Sequence, residues 1–205
     1  MKLVIATRNL HKLEEIRALL SIPSLQLFDL SSFPAAPEVE EDGLTFESNA
    51  IKKAVMTARA TGEWCLADDS GLEVDFLNGA PGVWSARYAG EPVSYPANNA
   101  KLLDALKHAG DRRGRFCCVI ALSTPTGTVH TVSGHCNGHI ISELKGKTGF
   151  GYDPLFVPDG YDLTFAELGE SVKNGISHRS RALARAREAW LKVFAGDSRE
   201  WPVAD

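Results

Sequence analysis

The chain contains 205 residues, of which 44% are hydrophobic and 23% are charged. This composition is typical of globular proteins and excludes a disordered, collagen-like or coiled-coil chain, and the length predicts one domain. The formal net charge of −4 disfavours binding to duplex nucleic acid, because such binding requires the neutralisation of several phosphates. A small anionic ligand needs only a local basic site and is not excluded.

The N-terminus and the cysteines give no sign of secretion or of a zinc site. The apolar run over residues 3–6 is too short for a signal peptide or a membrane span, so we expect a cytoplasmic protein without membrane contact. The four cysteines form no CxxC pair and no cysteine–histidine cluster with zinc spacing. We therefore expect free thiols, which are usual in a reducing compartment.

Hydrophobic periodicity predicts an α/β fold. The predicted opening is a strand over 2–7, a helix over 9–21, a strand over 25–30 and an acidic loop over 31–43. The predicted elements that follow are a helix over 45–61, strands over 64–67 and 72–77, a helix over 96–108, a hairpin of strands 115–123 and 128–142, and a helix over 177–194. No linker in the sequence separates lobes.

The first polar cluster lies where the first strand ends and a helix begins. It comprises Thr7, Arg8, Asn9, Leu10, His11 and Lys12. The N–H groups and positive dipole end of a helix start favour a phosphate, and Lys12 adds a cation. An ordinary helix start, with Asn9 as N-cap and Lys12 in solvent, explains the same residues.

A second cluster, Asp68-Asp69-Ser70-Gly71, follows a short apolar strand. Ligands of α/β proteins bind at the carboxyl ends of strands, where one acid can hold a metal while the other activates water. A tight turn, capped by Asp and Ser with Gly supplying positive φ, is the alternative.

The acidic loop contains four acids in five positions: Glu38, Glu40, Glu41 and Asp42. Such acids repel one another unless a cation lies among them, although most charge runs are simply solvated. Magnesium needs carboxylates from more than one segment, and Glu40 together with Asp69 could supply them.

The segment 148–154, which we call the glycine–aromatic loop, has the sequence Thr-Gly-Phe-Gly-Tyr-Asp-Pro. Its glycines allow a close backbone approach to a ligand, and Phe150 and Tyr152 offer ring faces for stacking on a base. Asp153 can accept hydrogen bonds from ring N–H groups. A structural turn explains the same residues.

A last basic group consists of Lys173 and the segment Ser177-His178-Arg179-Ser180. Cations at a helix start oppose the helix dipole, which is understandable if an anion or a carbonyl oxygen docks there. An exposed basic turn is the alternative.

Together and in this order, these segments resemble the inosine triphosphate pyrophosphatase, or Ham1-like, family. The matching stretches are Thr7-x-Asn9-x-x-Lys12, Glu40-Glu41-x-Gly43-x-Thr45-Phe46, Asn49 to Lys53, Ala67 to Leu72, Gly79 to Tyr88, Gly149 to Pro154, and Ser177-His178-Arg179. The resemblance covers nearly the whole chain, and the tail 196–205 lies outside it.

The resemblance implies both a fold and a reaction. The implied fold is an elongated mixed β-sheet flanked by helices, with two lobes and a central nucleotide-binding cleft, in a protein that is usually a homodimer. The implied reaction is the Mg²⁺-dependent hydrolysis of deaminated purine nucleoside triphosphates, such as dITP, ITP, XTP and dXTP. The products are the monophosphate and pyrophosphate, and the reaction removes these purines from the nucleotide pool.

The resemblance also implies roles by position. Residues 7–12 and Lys53 meet the phosphates, and Glu40 and Asp69 match the magnesium-associated carboxylates. Asp69 also matches the proposed general base, with Asp68 as its neighbour. Ser70 matches a substrate contact. The residues that match the base-recognition group are Phe150, Gly151, Tyr152, Asp153, Lys173, His178 and Arg179.

Three questions stay open at the level of sequence. Either Asp68 or Asp69 could accept the proton from water. Lys52 and Lys53 are separated by roughly 100° on a helix, so only one of them faces the site. A hydrolase for modified pyrimidine or 7-methylguanine nucleotides fits the same residues. A sensor that binds without turnover is disfavoured by the paired carboxylates.

Overall fold

The structure, a computed structural model, describes residues 1–195. The chain forms a six-stranded sheet with the strand order β2-β1-β3-β4-β5-β6. The strands are β1 (Lys2–Ile5), β2 (Gln26–Asp29), β3 (Trp64–Val74), β4 (Arg113–Ser123), β5 (Val129–Ile140) and β6 (Phe156–Pro158). β1 pairs in parallel with β2 and β3, whereas β5 and β6 are antiparallel. The sheet is therefore mixed, which confirms the predicted α/β class.

Four of the six described helices begin at side-chain caps that are visible in the sequence. The six helices are α1 (Leu10–Leu19), α2 (Phe46–Thr61), α3 (Tyr95–Ala105), α4 (Phe165–Ile176), α5 (His178–Ala189) and α6 (Leu191–Ala195). Asn9, Thr45, Ser94 and Thr164 each accept a first-turn N–H, and Gly62 ends α2 with a φ of +70°. Among the described helices, none has both the length and the apolar character that crossing a membrane requires.

One continuous strand replaces the two short strands predicted over 64–67 and 72–77. β3 runs for 11 residues, so Asp68 and Asp69 lie inside a strand and not in a turn that follows one. Two buried acids inside a strand are tolerable only if cations compensate them. Those cations come from distant parts of the chain, and the local pattern could not show them.

The sequence predicted no element between the glycine–aromatic loop and the last helix, yet β6 and α4 lie there. The helical geometry of α4 is interrupted at Gly169, where φ is +78°. The predicted last helix over 177–194 is divided into α5 and α6.

The chain divides into two compact units. The first contains Met1–Asp69, Val119–Gly134 and the chain from Arg179 onward, and the second contains Ser70–Cys118 and His135–His178. One core cluster of the first unit is built from small side chains, namely Ala50, Ala54 and Ala58 of α2 against Val4, Ala6, Cys65, Ala67 and Ala121. The core of the second unit contains an aromatic group, Phe116, Phe156 and Phe165, whose rings are in mutual contact. All four cysteines lie within the described residues, are buried and form no disulfide with one another. The tail 196–205 lies outside the described residues.

Candidate active site

The first polar cluster lies at the junction of β1 and α1, in the first unit. Asn9 is the N-cap of α1, since its Oδ1 accepts hydrogen bonds from the backbone N–H groups of His11 and Lys12 at 3.0 and 3.3 Å. The hydroxyl of Thr7 accepts a hydrogen bond from the N–H of Asn9 at 3.2 Å. The exposed members of the cluster are Arg8, Leu10 and His11. An ordinary helix start therefore explains Asn9, but it does not explain Lys12, whose ammonium group meets a buried carboxylate.

That carboxylate belongs to Asp68, which pairs with two cations. Lys12 Nζ lies 2.6 Å from Asp68 Oδ1, and Arg179 Nε lies 3.1 Å from Asp68 Oδ2. Burial alone would raise the pKa of Asp68, but Arg179 and Lys12 outweigh it and hold that pKa well below its usual range. Burial would likewise lower the pKa of Lys12, yet the attraction of Asp68 leaves that pKa raised. Asp68 is thus an ionised anchor for both cations.

Glu15 was not among the residues predicted from the sequence, yet it joins the same group of charges. It follows Lys12 by three residues on α1, a spacing that places both side chains on one helix face. Its carboxylate pairs with Arg179 Nη1. The resemblance assigns Arg179 to base recognition, whereas the structure places its guanidinium against the carboxylates of Glu15 and Asp68, in the first unit.

Lys53 of α2 is the lysine that meets Asp69. Its Nζ lies 3.2 Å from Asp69 Oδ1, 2.5 Å from Glu41 Oε1 and 2.7 Å from a backbone carbonyl oxygen of β3. Lys52 instead pairs with Asp42 at 2.7 Å, where both side chains are substantially exposed. The orientation of α2 therefore selects Lys53 and not Lys52 for contact with the buried acid. We refer to Lys12, Glu15, Glu41, Lys53, Asp68, Asp69 and Arg179 as the ionic cluster.

Asp69 has an environment unlike that of Asp68. Burial raises the pKa of Asp69, and the nearby Glu41 and Asp68 carboxylates raise it further, against the partial opposition of Lys53 and Lys12. Its second oxygen, Oδ2, is buried and accepts no hydrogen bond from any residue in the described range. A buried carboxylate oxygen without a partner is costly, so this atom is available for a ligand, a water or a proton.

The acidic loop directs Glu41, and not Glu40, toward Lys53. Glu40 is exposed. The loop is held on α2 by Asn49, whose Oδ1 accepts the N–H of Gly43 at 2.8 Å. A Cβ atom at Gly43 would lie only 2.6 Å from that Oδ1, so this close approach requires glycine. Glu41 was recognised in the sequence as part of an acidic run but was not singled out as a ligand.

Asp69 and Glu41 are the carboxylates that could hold a magnesium ion. Magnesium in proteins usually takes one or two carboxylates and completes its shell with water and substrate phosphates. The unpartnered Oδ2 of Asp69 and the nearby Glu41 fit that requirement. Over residues 1–195, no group of three or more histidine, cysteine or acidic side chains is arranged for a metal, so further ligands would have to come from elsewhere.

In the second unit, Asp153 organises the glycine–aromatic loop. Its Oδ2 accepts hydrogen bonds from the backbone N–H of Phe150 at 2.9 Å and from Lys173 Nζ at 2.6 Å. Lys173 Nζ also lies 4.6 Å from the centroid of the Phe150 ring. Gly149 has a φ of +74°, and a Cβ there would lie 2.2 Å from Asp153 Oδ2. The loop thus holds the partly exposed Phe150 ring on a buried ion pair.

Two other predicted base contacts of the second unit are buried. Tyr152 is 3% exposed and donates its hydroxyl hydrogen to the Ser85 carbonyl oxygen at 2.9 Å, and burial raises the pKa of Tyr152. His178 is 5% exposed and stacks on Phe116, with ring centroids 4.8 Å apart. The remaining predicted residues of this unit are Ser70 and Gly151, both partly exposed. Phe150 is therefore a better candidate than Tyr152 for presenting a ring face.

The structure is thus that of an α/β protein with a mixed sheet and with lysine–carboxylate pairs at buried positions. A sequence profile described as Ham1 family matches residues 3–189. The chain belongs to the Ham1 family.

Named relatives and solved structures agree with this assignment. A protein of Desulforamulus reducens named dITP/XTP pyrophosphatase is 56% identical over 95% of this chain and 98% of its own length. A protein of the same name from Geobacter sulfurreducens is 52% identical over 91% of this chain and 95% of its own length. The fold matches the Staphylococcus aureus Ham1 protein with a TM-score of 0.85 and 40% identity, covering 97% of this chain and 100% of that one. A HAM1 protein from Coxiella burnetii gives a TM-score of 0.87 and 40% identity, with 94% and 99% covered.

Proposed function

We propose that this protein is a nucleoside triphosphate pyrophosphatase that hydrolyses the deaminated purine nucleotides dITP, ITP, XTP and dXTP to the monophosphate and pyrophosphate. Its cellular role would be to remove these purines from the nucleotide pool. Relatives that are 56% and 52% identical carry the name dITP/XTP pyrophosphatase. The observation that carries the proposal is the contrast between the two adjacent acids: Asp68 is occupied by two cations, whereas Asp69 keeps one free buried oxygen beside Lys53.

In the proposed reaction, Asp69 is the general base. Its carboxylate accepts a proton from a water molecule, through the oxygen that does not hold the metal, while the water oxygen forms a bond to the α-phosphorus. The bond between that phosphorus and the bridging oxygen of the β-phosphate breaks, and pyrophosphate leaves with the electron pair. The raised pKa of Asp69 makes its carboxylate a stronger base than an ordinary aspartate.

Lys12 and Lys53 provide positive charge for the triphosphate. Phosphoryl transfer depends mainly on positioning and on charge neutralisation, and fixed charges are more effective than mobile ones. Asp68 holds Lys12, and Glu41 with Asp69 holds Lys53, so both ammonium groups are oriented before a substrate arrives. The resemblance assigns the other residues of the first motif, Thr7 to His11, to the same phosphates.

Magnesium would be held by Asp69 and a glutamate of the acidic loop. Ham1-family nucleotide pyrophosphatases are generally metal-dependent. The resemblance points to Glu40, but the contact of Glu41 with Lys53 favours Glu41. When bound, such an ion lowers the pKa of a coordinated water and neutralises phosphate charge.

Base selection is assigned to the second unit and to the start of α5. A fixed donor aimed at O6 favours a 6-oxo purine, because a 6-amino group would leave that donor buried and unpaired. The Arg179 guanidinium is already paired with Glu15 and Asp68, so the backbone N–H groups of His178 and Arg179 are better candidates than that side chain. Phe150 would provide the stacking face, and Ser70 a further substrate contact.

We also infer a cytoplasmic homodimer, as the family resemblance implies. Light scattering coupled to size exclusion measures the dimer directly. A monomeric mass at micromolar concentration would contradict this inference without bearing on catalysis.

The substrate assignment is tested by measuring pyrophosphate and orthophosphate release from dITP, XTP, dGTP, dATP and dUTP, each with Mg²⁺ and with excess chelator. We expect pyrophosphate, and not orthophosphate, from dITP and XTP, and only with Mg²⁺. Comparable turnover of dATP would contradict the selection of 6-oxo purines. Comparable turnover of dGTP, which also carries O6, would contradict only the rejection of guanine, which needs a further contact near C2. Either result would leave a hydrolase. Turnover confined to modified pyrimidine or 7-methylguanine nucleotides would indicate the alternative hydrolase. Tight binding of dITP without release of either product would indicate a sensor.

A further inference from the structure

Helix α3 holds the glycine–aromatic loop at two successive residues of that loop. Asn99 is 5% exposed, and its Nδ2 donates a hydrogen bond to the Gly151 carbonyl oxygen at 3.0 Å. Tyr95 lies four residues earlier on the same face of the helix, and its ring centroid is 6.1 Å from that of Phe150. Helix α3 therefore contacts both Phe150, which presents a ring face, and Gly151, which follows it.

Asn98, the preceding residue of α3, has a different kind of environment. Its Oδ1 accepts the N–H of Ala89 at 2.7 Å and its Nδ2 donates to the Ala86 carbonyl oxygen at 2.8 Å, so both ends of its amide are satisfied. Asn99 uses only its Nδ2, because its Oδ1 is buried and accepts no hydrogen bond from the described residues. Buried polar atoms without partners are uncommon in native proteins and call for a reason other than stability.

That reason lies in the backbone of Gly151. Its φ is +63°, a conformation that glycine enters readily but does not hold by itself. The hydrogen bond from Asn99 fixes the direction of the Gly151 carbonyl group. Asp153 fixes the N–H of Phe150 on the other side, so the two side chains together clamp the short backbone segment that carries the ring.

We propose that Asn99 is a positioning residue for base selection. Its amide holds the Gly151 carbonyl oxygen, and thereby keeps the Phe150 ring in the orientation on which a 6-oxo purine stacks. This inference rests on the proposed function. Asn99 does not belong to the ionic cluster, so its loss affects the choice and affinity of the base and leaves proton transfer at Asp69 intact.

Asn99→Ala and the matched control Asn98→Ala test the inference, with kcat and KM measured for dITP and for dATP, which carries a 6-amino group. We expect Asn99→Ala to raise KM for dITP about five- to tenfold with little change in kcat, as loss of one hydrogen bond suggests. The ratio of kcat/KM for dITP over dATP then falls. Asn98→Ala should lower the melting temperature and keep the wild-type ratio. An unchanged ratio in Asn99→Ala, or an equal fall in Asn98→Ala, would overturn the proposal.

A second variant and a measurement that does not depend on turnover complete the test of Asn99. Asn99→Leu preserves side-chain volume and removes the unpartnered oxygen, so it should fold where Asn99→Ala fails and should show the same fall in the ratio.

Hydrogen exchange on the nucleotide-free protein measures the local stability of the glycine–aromatic loop independently of turnover. We expect faster exchange of the Phe150 and Asp153 amides in Asn99→Leu, and wild-type exchange there would overturn the positioning role. If the wild-type protein hydrolyses no nucleotide, the proposed function fails and the base-selection role fails with it, whereas the exchange data still decide whether Asn99 holds the loop.

Discussion

Asp68 and Asp69 are adjacent in β3, but the pKa of one is lowered and the pKa of the other is raised. Successive side chains of a strand point to opposite faces, so the two carboxylates meet different neighbours. Asp68 lies between Lys12 and Arg179, which favour its ionised form. Asp69 is buried, and among residues 1–195 its Oδ1 pairs with Lys53 while its Oδ2 accepts no hydrogen bond. Of the two acids, Asp69 is therefore the one suited to accept a proton.

Replacing Asp68 should destabilise the fold. Asp68→Asn leaves the buried cations Lys12 and Arg179 without their shared carboxylate, and breaking such a buried pair costs about 3–5 kcal/mol. Urea denaturation measures the loss as a lower midpoint. Asp42→Asn is the matched control, because it removes a solvent-exposed partner of Lys52 and should leave the midpoint unchanged. Equal midpoints for the two variants would show that the buried ion pairs do not stabilise the protein.

Lowering the pH should abolish activity before it unfolds the protein. Turnover needs ionised Asp69, whose pKa is raised in the metal-free site, so at limiting Mg²⁺ the acid limb of kcat should lie above the ordinary aspartate value of 3.8. A bound Mg²⁺ favours the ionised carboxylate, so the acid limb should move to lower pH as the Mg²⁺ concentration rises. Asp68 has a depressed pKa, so its contribution to stability is fully present above 3.8 and is lost only as the pH falls toward its folded-state value. Measuring kcat and the urea midpoint over one pH series separates the two effects. A simultaneous collapse of both below pH 3.8 would contradict this assignment.

Replacing Lys53 should lower kcat much more than replacing Lys52, the adjacent lysine of α2. Lys53→Met removes the cation shared by Asp69 and Glu41, and should lower kcat for dITP on the order of 10²- to 10³-fold, as loss of a preorganised electrostatic contact does. Lys52→Met removes only an exposed contact with Asp42 and should keep the wild-type kcat. Steady-state assays at saturating Mg²⁺ compare them. Similar losses of kcat in the two variants would contradict a specific role in catalysis for the contacts of Lys53 with Asp69 and Glu41.

The acidic loop provides a test of the proposed metal ligand. Glu41→Gln should raise the Mg²⁺ concentration needed for half-maximal turnover by at least about tenfold, because a magnesium site of one or two carboxylates loses one of them. Glu38→Gln is the control for the charge of the loop. The same Mg²⁺ titration of Glu40→Gln decides between the two glutamates. If the Mg²⁺ concentration for half-maximal turnover rises more in Glu40→Gln than in Glu41→Gln, the ligand is Glu40, as the resemblance implies.

Local signals in the sequence predicted much of the fold. α2 begins after Thr45 and ends at Gly62, as predicted, because a capping hydroxyl and a left-handed glycine act over a few residues. The continuous course of β3 was missed because its acids are compensated from far along the chain. Arg179 lies 111 residues from Asp68.

The candidate site also depends on contacts between distant parts of the chain, which local sequence patterns do not show. The sequence identified an acidic run and a pair of adjacent lysines, but it could not say which member of each faces Asp69. That choice depends on the close approach of Gly43 to Asn49 and on the orientation of α2 in the first unit. Tyr152 shows a related ambiguity, since an aromatic residue beside a glycine fits a stacking face and a core position equally well, and the structure buries this ring.

The most direct measurement compares binding and turnover of dITP in Asp69→Asn. Pyrophosphate release would be followed with saturating Mg²⁺, and dITP affinity by calorimetry on the same preparation. If Asp69 is the general base, kcat should fall on the order of 10²- to 10⁴-fold while the variant still folds and binds dITP. A variant that releases pyrophosphate from dITP at the wild-type rate would contradict the role of Asp69 outright.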